Sequence, residues 1–122
     1  MAAPNLKNPT TITGKTARVG LTTTDTVGIV TNNTASGKVL KINSIFAANI
    51  DGTNGVDVSV AIAATDGSSA FFIASTIYVP PDATQILSTK ESYFYLEEGD
   101  TLRGTAGDAN RLNIIVSFED IS

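Results

Sequence analysis

The chain has 122 residues, room for one domain, and its 42% hydrophobic and 16% charged residues exclude a disordered polyelectrolyte. Its 8 basic and 12 acidic side chains leave a net charge of −4. The basic residues are dispersed along the chain, so no nucleic-acid partner is expected, because such binding draws on clustered cations that neutralise phosphates.

Cysteine and histidine are both absent. Their absence removes disulfides, thiolate zinc sites, Ser-His-Asp triads and imidazole ligands together. No apolar run approaches the roughly 20 residues that span a bilayer, so no membrane partner is expected. The opening segment MAAPNLKNPTTITGKT has no apolar stretch of the secretory kind, and synthesis in a cytosol is the expectation.

Residues 1–14 carry Pro4, Pro9 and Gly14 among polar neighbours. Each proline turns the residue before it away from helix, so this segment reads as an extended N-terminal arm, either frayed or ordered on a neighbouring subunit. Residues 15–122 read as one β-sandwich domain. Strands are expected at 16–21, 27–31, 39–49, 56–64, 71–79, 85–88, 93–96, 101–105 and 112–119.

The period of two is plainest in Val56, Val58, Val60 and Ile62. It recurs in Leu40, Ile42 and Phe46, in Phe71, Ile73, Ile77 and Val79, and in Leu112, Ile114, Val116 and Phe118. These are the expected core positions. Asp51-Gly52, Asn54-Gly55, Asp66-Gly67, Gly99-Asp100 and Gly107-Asp108 supply turn chemistry between the strands. Pro80-Pro81 ends the strand before it, since proline cannot donate to a ladder. The stretch 61–69 is too short and too rich in glycine and serine for a helix; its alanines read as points where two sheets approach. The fold class is therefore all-β: a single-domain antiparallel β-sandwich, jelly-roll-like, of about eight or nine short strands. Strand order is not legible.

Candidate chemistry is sparse. Glu97, Glu98 and Asp100 cluster as a glycosidase carboxylate pair would, yet they sit where a hairpin turns, and the expectation is a non-enzymatic protein with no catalytic residue. Asp51, Asn54 and Asp57 could offer oxygens to calcium, but the loop DGTNGVD lacks the alternating ligands and closing glutamate of an EF-hand. Ala35-Ser36-Gly37-Lys38 resembles the tail of a phosphate-binding loop. Asn32 stands where the earlier glycine is needed and Val39 where a Mg²⁺-holding hydroxyl is needed, so a hairpin turn is the better reading. Asn32-Asn33-Thr34 is formally a glycosylation sequon and is read as chance without a signal segment. No metal or cofactor is expected.

Phe72, Tyr78, Tyr93 and Tyr95 fall out of step with the core positions, and Ile115 points outward by parity in the last strand. If they share one outer face they form an interface, because aromatics bury large area at low entropic cost. The alternative for Tyr93 or Tyr95 is completion of the core with the hydroxyl at its rim. Tyr78, Tyr93 and Tyr95 could instead stack on sugar rings, as in a carbohydrate-binding sandwich module, although the chain has no tryptophan.

Three segments in order, IVTNNTASGKVLKINSIFAANIDG at 29–52, YLEEGDTLRG at 95–104 and LNIIVSFEDIS at 112–122, together resemble small bacteriophage virion proteins. These are β-sandwich accessory components of head, neck or tail. The resemblance covers roughly half of the chain. It implies no catalytic residues, turn roles for Gly37 and Gly99, and core roles for Leu96, Leu102, Val116 and Phe118. It further implies a homo-oligomer that meets other virion proteins, either the major capsid protein or neck and tail proteins, and that resides in the virion after synthesis in the host cytoplasm. A compact acidic sandwich with a loose arm suits a capsid decoration protein somewhat better than a neck or tail component.

Overall fold

The computed structural model describes residues 4–65 and 68–122. The expected Asp66-Gly67 turn and the first three residues of the arm lie outside the described residues. Nine strands follow in order: β1 (Ile12–Leu21), β2 (Val27–Thr31), β3 (Val39–Asn49), β4 (Val56–Ala64), β5 (Phe71–Val79), β6 (Thr84–Ser88), β7 (Phe94–Leu96), β8 (Asp100–Ala106) and β9 (Leu112–Ile121). One 3₁₀ turn, Lys90–Ser92, separates β6 from β7.

Pairing is antiparallel throughout and nested: β1 with β9, β2 with β8, β3 with β6 and β7, β4 with β5. The chain is thus one long ribbon doubled back at the β4–β5 connection. Rolling that ribbon adds β9 beside β3 and β8 beside β4. Two sheets result, β1-β9-β3-β6 with β7 also on β3, and β2-β8-β4-β5. This is the order of an eight-stranded jelly roll with β7 as a short addition.

The core between the sheets is aliphatic. Ile42, Ile45, Val58, Val60, Leu96, Leu102, Ile114 and Val116 are fully buried within it. Gly104 leaves room for its neighbours in the core: a Cβ there would stand 2.8 Å from Ile114 Cδ1 of the facing sheet and 2.9 Å from Ile29 Cδ1 of its own. Ala61 and Ala63, expected at the close approach, belong instead to the outer face of the second sheet. Ala61 pairs with Arg103, and both line a shallow cleft on that face.

Several core expectations change phase, and bulges are the cause. An extra residue in β3 at Asn43 shifts the inward set from Leu40 and Ile42 to Ile45, Ala47 and Asn49, which turns Phe46 outward. Strand β5 carries two extra residues against β4, and Thr76 within it has φ of 54°. Of its expected core residues Val79 is buried and Ile73 partly so, whereas Phe71 is 75% exposed and Ile77 37%. Both pair with inward-facing residues of β4 (Ile62 and Val58) but overhang the rim of the core. Strand β1 begins four residues before its expected start, and Thr10 and Thr11 already donate their amides to the Ser122 carbonyl.

Each end of the roll is pinned by a buried asparagine. Asn32, at the exit of β2, donates from Nδ2 to the carbonyls of Lys38 and Leu96, both at 3.0 Å, and its Oδ1 accepts from Ser36 Oγ. Asn49, at the end of β3, donates to the carbonyls of Asn54 (2.9 Å) and Val79 (3.1 Å), while its Oδ1 accepts from the Asp51 amide. Such side chains satisfy carbonyls that leave the ladder where strands part.

Candidate interaction surfaces

The five residues expected at an interface are all exposed: Phe72, Tyr78, Tyr93, Tyr95 and Ile115. They do not share a face. Phe72 pairs with Ala61 and Tyr78 with Asp57, which sets them on the outer face of the second sheet. Tyr95 pairs with Lys41, and Ile115 with Phe46, on the outer face of the first. Tyr93 stands beside Tyr95 on that side. The three tyrosines therefore do not form one platform.

The outer face of the first sheet carries an apolar row that crosses three strands and ends against Arg18 on the fourth. Ile86 of β6 pairs with Phe46 of β3, Phe46 with Ile115 of β9, and Ile115 with Arg18 of β1. Ile86 is 52% exposed and Ile115 39%. Sequence reading missed Phe46 and Ile86: Phe46 keeps the period of its strand up to the bulge, and Ile86 sits in a short strand with little pattern. On the same face Tyr93 and Tyr95 meet edge to face with centroids 5.7 Å apart. Lys41 Nζ lies 4.3 Å from the Tyr93 ring centre and 3.8 Å from Glu119 Oε2. The lysine is thereby held over one ring face, an arrangement that fixes the aromatic pair in place.

Strand β5 forms the edge of the second sheet and displays Phe71, Phe72, Ile77 and Tyr78. The Tyr78 ring lies where a side chain on Gly55 would stand, so glycine is required there for the ring to lie flat. Beside Phe72 a cleft of about 210 Å³ is floored by Ser59 and Ala61 and flanked by Arg103 and Thr105.

Between the sheets at one end is a more polar cleft of about 350 Å³, lined by Lys15, Thr31, Asn33, Ser36, Lys38 and Asp120 among others. Asp120 is nearly buried and its Oδ2 accepts from Lys15 Nζ (3.0 Å) and Lys38 Nζ (3.2 Å). Burial pushes this carboxyl up, but the two lysine bonds outweigh it and hold the group below its ordinary value of 3.8. The carboxylate faces inward on β9 beside Leu40. There it ties β9 to β1 through Lys15 and to the segment leading into β3 through Lys38.

The other chemical candidates resolve into structure. Asp100 Oδ2 accepts the Glu97 amide at 3.1 Å and Gly99 has φ of 89°, so this carboxylate closes its own turn. Asp51 Oδ1 accepts the amides of Thr53 (2.8 Å) and Asn54 (3.0 Å), which lower its carboxyl, and its Oδ2 lies 3.3 Å from Arg111 Nε. Ala35 and Gly37 both have positive φ, but β2 and β3 lie in different sheets, as do β7 and β8, so the turns at 35–38 and 97–100 belong to connections between sheets and not to the expected hairpins. Asn32 is buried with its amide nitrogen committed to two carbonyls, so the sequon is closed to a glycan in this fold. Among the described residues no group of three or more acidic side chains is placed to hold a metal ion.

No protein-family model matches the chain, and no curated protein matches it. Among solved structures, a subunit from Bacillus endospore appendages, a novel family of disulfide-linked pili, superposes with a TM-score of 0.54 at 15% identity. That match covers 92% of this chain and 88% of the other. The CBM22-1 xylan-binding domain from Paenibacillus barcinonensis aligns over 90% of this chain and 80% of its own, at 15% identity and a TM-score of 0.30. The first likeness shows a shared β-sandwich architecture; the second superposes too loosely to carry an argument.

Proposed function

We propose that the chain is a non-enzymatic structural protein of a bacteriophage virion, present in many copies and acting as a capsid decoration protein. The observation that carries this reading is the apolar row Ile86–Phe46–Ile115 on the outer face of the first sheet, with the fixed Tyr93–Tyr95 pair beside it. A row of that kind in a sheet with its core on the other side favours contact with a protein surface. Many weak copies on a symmetric shell then hold firmly through multivalency. The resemblance of residues 29–52, 95–104 and 112–122 to phage accessory proteins supplies the virion. The same architecture serves as a subunit of disulfide-linked pili; this chain has no cysteine, so no disulfide joins its copies.

The neck or tail is the alternative position for the same reading. Quantitative peptide mass spectrometry on purified particles, scaled to the major shell protein, separates the two. A copy number approaching that of the shell protein supports decoration, and a copy number of a single ring supports neck or tail. Absence from the particles overturns both.

A carbohydrate-binding role is the second reading, favoured by one observation: Tyr93 and Tyr95 are exposed and meet edge to face. Tyr78 takes no part, since it is on the opposite face. A glycan array with a specific hit that is lost in Tyr95→Ala promotes this reading, and a blank array retires it.

A further inference from the structure

We infer that β5 is the contact between two copies of this chain, arranged about a two-fold axis through the middle of the strand. This inference rests on the multi-copy reading above and names the surface through which copies meet. It starts from a contrast between sheet edges. An edge strand offers unpaired backbone groups to any passing strand, and natural proteins protect such edges with charges, bulges or shortness. Strand β1 is long and in unbroken register with β9 but carries Lys15 and Arg18. Antiparallel self-pairing of β1 would set these cations against their own copies. Strands β2 and β6 are five residues each and bulged.

Strand β5 differs from all of these. Residues 68–81 hold no charged side chain, although the chain as a whole carries −4. No charge on this strand therefore repels a second acidic copy. The two bulges and the left-handed Thr76 break the regular ladder, so open-ended strand addition is blocked. What is left for contact is side chains. Phe71, Phe72 and Tyr78 are 75%, 62% and 61% exposed. With about 200 Å² per aromatic side chain, these three present roughly 400 Å² per copy, or about 800 Å² between two. Ile77 and the adjoining backbone bring the total to the ~1,000 Å² that marks a specific interface.

The pattern along β5 is also self-complementary. Apolar pairs, Phe71-Phe72 and Ile77-Tyr78, flank the small residues Ala74 and Ser75. A two-fold axis at the centre brings the first pair of one copy to the second pair of the other. With the axis at Ser75, outer-face Phe72 meets Tyr78, and Ile73 meets Ile77 on the opposite side of the strand, with Phe71 diagonal to Ile77. Such an interface is isologous and closes at two copies, whereas an open edge would not close.

The natural absence of cysteine allows a direct test on the full chain. Ser75→Cys places one thiol near the proposed axis, and Thr16→Cys places one at the middle of exposed β1. Under mild oxidation Ser75→Cys is expected to form a covalent dimer at least about tenfold faster than Thr16→Cys. In sedimentation equilibrium, Phe72→Asp with Tyr78→Asp is expected to weaken the wild-type dimer by about 30-fold or more, the loss typical of removing an interface hot spot. Circular dichroism on the same variants confirms the fold. A wild-type chain that stays monomeric at all concentrations, or faster cross-linking of Thr16→Cys, overturns the inference. Incorporation into particles is read separately. A monomer that still enters particles defeats the β5 contact and leaves the virion reading standing; a β5 dimer absent from particles does the reverse.

Discussion

The two ends of the roll solve the same problem with different chemistry. At each, a buried asparagine bonds two carbonyls where strands separate, Asn32 at one end and Asn49 at the other. The acid that accompanies each asparagine differs. Asp120 is nearly buried and is satisfied by two lysine side chains distant in sequence, Lys15 of β1 and Lys38 just before β3. Asp51 is partly exposed and is satisfied chiefly by amides of its own loop. The first end thus depends on contacts distant in sequence, and the second on a loop that largely organises itself. Substitutions at these four residues show whether that difference reaches stability.

The largest effect is expected for Asn32→Ala, which strips three hydrogen bonds and leaves two carbonyls without their donor. A loss of about 3 kcal/mol is expected in urea unfolding, since each unsatisfied buried group costs about 1–3 kcal/mol. Asn49→Ala should cost somewhat less, about 2 kcal/mol: each asparagine serves one buried and one part-buried carbonyl, but the loop at Asn49 is also held by Asp51, which accepts the Thr53 and Asn54 amides. Equal losses at the two positions would erase the contrast between the ends.

Asp120→Asn comes next. The lysine partners are nearly half exposed, so the ion pairs are screened and the loss should be about 1 kcal/mol. The pH dependence sharpens this. The Asp120 carboxyl is lowered in the folded protein, so its contribution is fully present above the ordinary value of 3.8 and is lost as pH falls through the lowered folded value. Wild-type stability should therefore fall more steeply below about pH 4 than that of Asp120→Asn. Parallel curves for the two proteins would show that Asp120 is not the group responsible. Asp51→Asn should have the smallest effect, because an amide oxygen can still accept from Thr53 or Asn54; thermal melts at neutral pH should nearly superimpose.

The strands themselves were legible because alternation of apolar and polar residues records which face is wet. The limits of β2, β3, β4 and β5 agree with the expected ranges. Strand order was not legible, since it depends on how the nested ribbon rolls and no local residue encodes that. Phe46, Phe71 and Ile77 were misplaced for a related reason. A bulge adds one residue and inverts the phase, as at Asn43, or carries apolar residues past the rim of the core, as in β5. The aromatic surface was legible as residues out of step, yet its division between two faces was not. Phe72 and Tyr78 differ from Tyr93 and Tyr95 only in which sheet their strands join. Asp120 was missed altogether: it sits next to Glu119 near the end of β9, and its lysine partners are more than 80 positions away.

The proposed attachment to particles belongs to the outer apolar row of the first sheet and not to the polar cleft at Asp120. Co-sedimentation of purified Ile115→Asp and Asp120→Asn chains with particles that lack the native protein separates the two. The account predicts that Ile115→Asp stays in the supernatant while Asp120→Asn pellets like wild type. Full binding by Ile115→Asp together with loss of binding by Asp120→Asn would contradict it.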